Sequence, residues 1–261
     1  MKIVLKNNKL IPARKANVSI FSEIIRGYGI FETLRTFGDK EILHQKQHAK
    51  RLLASAKKIE LKIGYSEKEI QKMLTRVAKK SPHKNQVIKI IAIPEELFIT
   101  SVPLKIDKKI YEGVCCKSVS CIRNMPEVKS VSYLGSFLSN KRAKEAGCFA
   151  AILTDKKGEV YECDYSNIFW FEGNTLCTRK DQILPGIVRA EIIKKSPFKV
   201  KFKTIKIDEL KRKKEVFLTN SLKGIVPITR IDKKTIGEGI PGKNTKILIE
   251  KFAKIFFASS I

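Results

Sequence analysis

Short β-forming runs, each closed by turn residues and only occasionally interrupted by helical stripes, constrain this chain more than any other feature. Residues 87–93 are apolar except for Lys89, and Pro94 stops them. Residues 30–36 are rich in β-formers, turn at Gly38-Asp39 and return through 41–43, which predicts a hairpin. Residues 45–59 instead carry Leu52, Leu53, Ala56 and Ile59 at helical spacing. Ser66 opens a second helix to Lys80 as its N-cap, with Glu67 and Glu69 in the first turn. A third helix, 132–146, places Leu134, Phe137 and Leu138 on one face and stops at Gly147. Beyond it the pattern is mostly strands: 150–154, a turn at Asp155-Lys156-Lys157-Gly158, 159–162, 168–171 and 175–177. A helix after Pro185-Gly186, three more strands and a last helix at 245–257 complete the order. Strands with interspersed helices predict an α+β (mixed α/β) fold in two domains. We place a small N-terminal α/β domain at 1–113, a connection at 114–126 and a larger domain at 127–261.

Of 261 residues, 43% are hydrophobic and 30% charged, which suits a folded chain and not a disordered one. No apolar run approaches the ~20 residues of a membrane span. The start, Met1-Lys2-Ile3-Val4-Leu5-Lys6, is too short and too charged for a signal peptide, so a cytoplasmic protein is expected. The net charge of +27 raises a nucleic-acid reading. The lysines, however, are spread along the whole chain without interleaved aromatics, which predicts salt-sensitive sticking and no specific nucleic-acid partner. Six cysteines form no C-x-x-C pair and complete no zinc spacing with the three histidines, so no metal is expected and the thiols read as reduced. Gly27-Tyr28-Gly29 lacks the third glycine and following helix of a dinucleotide loop.

Two residues carry chemistry. Lys129 stands in a loop-like stretch, Met125-Pro126-Glu127-Val128-Lys129-Ser130, and Glu162 follows at the end of a short apolar strand. A lysine nucleophile and a carboxylate able to hold a proton on a pyridine ring are what pyridoxal phosphate chemistry requires. On its own, Glu162 reads as a strand-end carboxylate in a surface ion pair.

Six segments, in order, resemble the class-IV (fold type IV) pyridoxal-phosphate enzymes: branched-chain aminotransferases, D-amino-acid aminotransferases and aminodeoxychorismate lyases. They are Gly27 through Arg35, His48-Ala49-Lys50-Arg51-Leu52, Lys129 through Leu134, Glu162 through Phe169, Leu184 through Arg189, and Leu218 through Pro227. The resemblance implies a β-barrel-like α/β larger domain, pyridoxal 5′-phosphate as cofactor and a homodimer. It makes Lys129 the lysine that bonds the cofactor aldehyde, and Glu162 the partner of the pyridine nitrogen. Arg51 becomes the phosphate arginine, whose planar fork suits a phosphate better than the neighbouring lysines would. The N–H groups of Ile187 and Val188 open a helix after Gly186 and form an anion site. Threonine is usual where Val188 stands, so a hydroxyl contact is missing. Ser221 and the Leu222 N–H complete the implied phosphate contacts. Tyr133 falls near the cofactor's 3′ oxygen, or is a core aromatic at a helix start; Asn167 follows the family pattern, or caps a turn.

For substrate, Phe31 resembles a pocket-lining aromatic and otherwise belongs to the hairpin core. Lys89 interrupts an apolar strand where some branched-chain members carry a substrate-carboxylate arginine and some lyases a lysine. A buried unpaired lysine is costly, so Lys89 either points outward or meets an anion. The Arg-x-His pair of the D-amino-acid enzymes is replaced by Pro94-Glu95-Glu96, which argues against D-specificity. The expectation is amino-group transfer between an amino acid, branched-chain among the candidates, and a 2-oxo acid. Aminodeoxychorismate lyase is the alternative, and a basic nucleic-acid-binding protein the alternative of another class.

Overall fold

The computed structural model describes residues 3–257; residues 1, 2 and 258–261, at the ends of the two expected domains, lie outside the described residues. The chain divides into two compact units. The first comprises 1–105 and 128–133, the second 106–127 and 134–261. The short segment around Lys129 thus belongs with the first unit, whereas the sequence expectation placed it at the start of the second.

In the first unit, β1 (Ile3–Lys6), β2 (Lys9–Pro12), β3 (Ile30–Phe37), β4 (Glu41–Ile42), β5 (Gln86–Ile93) and β6 (Glu96–Pro103) form one antiparallel sheet in the order β2-β1-β6-β5-β3-β4. The helices α1 (Gln45–Lys58) and α2 (Glu67–Lys80) fall within a residue of their expected spans. Ser66 caps α2 in a reciprocal box with Glu69. Ile30, Leu34, Ile88, Ile90 and Ala92 pack with Leu52, Ala56, Leu74 and Val77 of the helices in one core. Strand alternation then sends Phe31, Thr33, Val87, Lys89 and Ile91 to the opposite face. The apolar run at 87–93 therefore has one helix-facing side and one side on which Lys89 is exposed.

Segment 128–133 pairs with the start of β3. Phe31 N donates to Lys129 O at 2.9 Å and Val131 N to Gly29 O at 2.9 Å. Gly29 permits this approach: a Cβ there would lie 2.9 Å from Ile93 Cγ2 and 3.2 Å from Val131 Cγ2.

In the second unit, β7 (Val114–Ser120), β8 (Ala150–Thr154), β9 (Val160–Cys163), β10 (Asn167–Glu172), β11 (Thr175–Thr178), β12 (Lys199–Phe202), β13 (Val216–Asn220) and β14 (Gly224–Ile231) line up as β12-β11-β10-β13-β14-β7-β8-β9, and β15 (Lys234–Thr235) pairs with β14. The β11–β12, β14–β7 and β7–β8 pairs are parallel and the others antiparallel. Trp170, Ile168, Leu218, Val226 and Ile152 form its core. The helices are α3 (Leu134–Glu145), α4 (Ile187–Lys195), the single turn α5 (Ile207–Leu210) and α6 (Lys243–Phe257). Asp155 sets the β8–β9 turn by accepting from Lys157 N at 2.9 Å and Glu159 N at 2.7 Å.

Two expectations are corrected. On α3 the buried residues are Ser136, Ser139 and Ala143, while the stripe of Leu134, Phe137 and Leu138 is exposed. Small side chains let that helix lie close on the sheet, and its bulky face is left outward. Of the thiols expected to be reduced, Cys115 and Cys148 are joined in a disulfide across a Cα–Cα distance of 4.7 Å; Cys116, Cys121, Cys163 and Cys177 are free.

Candidate active site

The residues singled out from sequence fall into two groups, one in each unit. In the first unit the 128–133 segment lays Lys129 against β3. Lys129 Nζ stands 4.6 Å from the Phe31 ring centroid and 5.8 Å from that of Tyr133. The two rings meet edge-on, 5.4 Å apart at 82°. Lys89 Nζ lies 5.7 Å from the same Phe31 ring. Lys129, Tyr133, Phe31 and Lys89 thus form one cluster, in which the faces of two aromatic rings carry two ammonium groups. Lys89 points outward from the helix-packed core, the first of the two placements its sequence position left open.

Arg51 lies on α1, one face of which packs on β3. Its Nε donates to Glu32 Oε1 at 2.7 Å and its Nη2 to Glu32 Oε2 at 2.7 Å. His48 Nδ1 is 2.7 Å from Glu32 Oε2. Burial alone would raise the Glu32 carboxyl, but the Arg51 charge and hydrogen bonds, with His48, overcome it and hold the group at about 2. Burial lowers His48 despite the Glu32 charge, so it is neutral and donates from Nδ1.

In the second unit Glu162 is buried within β9, one residue before its end. Its Oε1 accepts from Arg123 Nη1 at 2.6 Å. Its Oε2 accepts from Asn167 Nδ2 at 3.2 Å and Leu184 N at 3.1 Å. Asn167 Nδ2 also donates to Leu184 O at 2.9 Å, which ties β10 to the turn before α4. A Cβ at Gly186 would fall 1.9 Å from Asn167 Oδ1, so only glycine fits that turn. Gly186 is the N-cap of α4 and offers no side-chain cap, leaving the first-turn N–H groups, Ile187 and Val188 among them, to other acceptors. In the turn after β13, Asn220 Oδ1 accepts from Leu222 N at 3.0 Å and Lys223 N at 2.9 Å. The Leu222 N–H, implied as a phosphate contact, is therefore engaged by Asn220. Ser221, beside it, is partly exposed in the same turn. Asp164, two residues past Glu162, is buried; burial pushes its carboxyl up to about 6 against a hydrogen bond from Asn140.

By type, these side chains suit a phosphorylated pyridine. An uncapped helix start and an arginine each match a phosphate. A buried carboxylate suits a protonated ring nitrogen, and Arg123 pairs with this one. Among the described residues, no group of three or more His, Cys, Asp or Glu could hold a metal.

Sequence reasoning missed Glu32, His48, Arg123 and Asp164. Glu32 had a legible signal: a carboxylate at the helix-facing position between Ile30 and Leu34 needs partners, and His48 and Arg51 lie three apart on α1. Arg123 had none, since its partner is 39 residues away.

A family model described as "Amino-transferase class IV" matches residues 29–231, and the chain belongs to that family. The protein is a pyridoxal-phosphate-dependent class-IV aminotransferase. A relative in Aquifex aeolicus, named "Probable branched-chain-amino-acid aminotransferase", is 30% identical over 96% of this chain and 91% of its own. A D-alanine aminotransferase of Listeria monocytogenes is 29% identical over 96% of this chain and 95% of its own. The branched-chain amino acid aminotransferase of T.th., solved with pyridoxamine 5′-phosphate, superposes with a TM-score of 0.90 at 23% identity, covering 97% of this chain and 94% of that one. The two units therefore have the architecture of fold type IV. These relatives are named as transaminating enzymes, which supports transfer and not the lyase alternative.

Proposed function

We propose that the protein transfers the amino group of a branched-chain L-amino acid to a 2-oxo acid, with Lys129 as its catalytic lysine. The observation that carries the reading is the cluster of Lys129, Phe31, Tyr133 and Lys89. Phe31 and Ile91 lie on the same face of the sheet as Lys89, so an apolar side chain and a carboxylate can be met side by side. Bound pyridoxal phosphate supplies an electron sink that stabilises the carbanion left when the substrate's α-proton departs. With the cofactor bound, Lys129 Nζ would take that proton from the substrate's α-carbon and deliver it to the cofactor-side carbon that bears the nitrogen, the shift that amino transfer requires. Glu162, oriented by Arg123, would keep a proton on the ring nitrogen. By type, Arg51 in one unit and the N–H groups of Ile187 and Val188, with Ser221, in the other are each assigned to the phosphate; Tyr133 adds a phenol near Lys129, and Asn167 fixes the Glu162 carboxylate.

The β5–β6 turn, where Glu95 adopts φ +62°, occupies the place of the Arg-x-His pair and favours L- over D-amino acids. A homodimer is supported by apolar residues left at the surface: Leu134 and Phe137 are 69% and 57% exposed on α3, and Phe21 in the first unit is 88% exposed. No helix among the described residues is long and apolar enough to cross a membrane, which accords with a cytoplasmic enzyme. The test is a panel of L- and D-amino acids with 2-oxoglutarate, and aminodeoxychorismate alone. Turnover of L-leucine, L-isoleucine and L-valine above the others is expected; preference for D-alanine, or release of pyruvate from aminodeoxychorismate, overturns the substrate assignment. Sedimentation of the active enzyme at twice the monomer mass is expected, and full activity at monomer mass refutes the dimer.

A further inference from the structure

Glu32 is fully buried on the side of β3 that packs against α1. An isolated carboxylate there would be costly, and its oxygens are instead loaded from one helix. Arg51 binds it through two nitrogens, Nε and Nη2, both at 2.7 Å, and His48 Nδ1 approaches the second oxygen at 2.7 Å. Two parallel bonds fix not only where the guanidinium is but the plane in which it lies. A free arginine side chain samples many rotamers, and holding one of them costs entropy each time a ligand binds. Neutral His48 pins the carboxylate in turn, so the direction of Arg51 is set by two further buried side chains. A buried ion pair is a poor device for stability alone, because apolar residues of similar volume serve as well or better.

We propose that Glu32, backed by His48, is a positioning residue that locks the Arg51 guanidinium in the orientation that holds the cofactor phosphate. The inference rests on Arg51 being the phosphate anchor. It makes cofactor affinity depend on residues that never touch the cofactor, and the dependence runs through the phosphate alone.

The experiment titrates the cofactor-stripped full chain with pyridoxal 5′-phosphate and, separately, with pyridoxal, which lacks the phosphate, following absorbance. Glu32→Gln lowers affinity for the phosphorylated ligand by about tenfold, the scale of one charge-assisted hydrogen bond. Pyridoxal affinity should move by less than about twofold, as for an uncoupled site. The double variant with Arg51→Ala binds the phosphorylated ligand no more weakly than Arg51→Ala alone. His48→Gln, which keeps a donor without the ring, shows a smaller loss with the same selectivity and serves if Glu32→Gln does not fold. Equal losses for both ligands assign the trio a structural role and overturn the proposal, as does unchanged affinity for the phosphorylated ligand in both variants. If Arg51→Ala itself leaves that affinity unchanged, the anchor reading falls; if Arg51→Ala weakens binding and the Glu32 and His48 variants do not, only the positioning role falls.

Discussion

Removing the Glu162 carboxylate should damage the protein twice, and the two losses can be separated. Glu162 is buried, and the Arg123 side chain that pairs with it is 8% exposed. Glu162→Ala leaves that guanidinium buried without its carboxylate, and leaves the Leu184 N–H without its acceptor. Breaking a buried pair on one side costs roughly 3–5 kcal/mol, because the surviving charge keeps its desolvation penalty. Glu162→Gln retains an oxygen for Arg123 or Leu184 and should cost about half as much. Replacing both partners, Glu162→Gln with Arg123→Met, removes the buried guanidinium charge as well and should recover part of the loss. Urea unfolding followed by the fluorescence of Trp170, the single tryptophan and buried in the same sheet, measures each step. Turnover is the second readout. Glu162→Gln no longer keeps a proton on the ring nitrogen, so its rate should fall by roughly a hundredfold or more even where the fold is intact. Glu162→Ala unfolding within about 0.5 kcal/mol of the parent would refute the buried-pair argument. Unimpaired turnover in Glu162→Gln would refute the catalytic one.

Three further outcomes are expected. Arg51→Ala should raise the cofactor's dissociation constant by about ten- to a hundredfold, as loss of charge-assisted bonds requires, measured by equilibrium absorbance titration. Asp164 has a folded carboxyl raised to about 6 from 3.8, so its stabilising effect is full below 3.8 and is lost as pH rises through 6. Asp164→Asn should remove that slope and stabilise the protein at pH 7 by at most about 3 kcal/mol; melting temperatures across this window check it. Gly29→Ala should push the 128–133 segment off β3, since its Cβ would meet Ile93 and Val131, and should cut turnover while α1 and α2 stay folded, read by activity against far-UV circular dichroism.

The β3–β4 hairpin and both helices of the first unit were legible because their signals are local, whereas the β1–β2 and β5–β6 hairpins were not read. Ser66 and Glu69 lie three residues apart and cap α2 as their types require. Asp155 and Gly158 set the β8–β9 turn within four residues. The stripe on α3 misled for a physical reason. Periodicity shows that Leu134, Phe137 and Leu138 share a face, not that the face turns inward, and here Ser136, Ser139 and Ala143 make the close contact. The motif residues could be named from family spacing, but not what orients them. Arg51 was legible as a phosphate-type arginine, while its carboxylate stands 19 residues earlier on another element. Arg123 and Glu162 meet across 39 residues, and Cys115 and Cys148 across 33. Such pairs are made by the sheet's topology, which no local pattern encodes.

Every other proposed role depends on Lys129 being the lysine that carries the cofactor. Among 53 basic residues it is singled out by its segment's pairing with β3 and by its place over the Phe31 and Tyr133 rings. Borohydride reduction of the cofactor-loaded enzyme, followed by peptide mapping, tests this directly. The pyridoxyl label is expected on Lys129 alone, with a Lys129→Ala protein that folds but neither takes the label nor turns over substrate; a label on any other lysine, Lys89 included, would overturn the assignment.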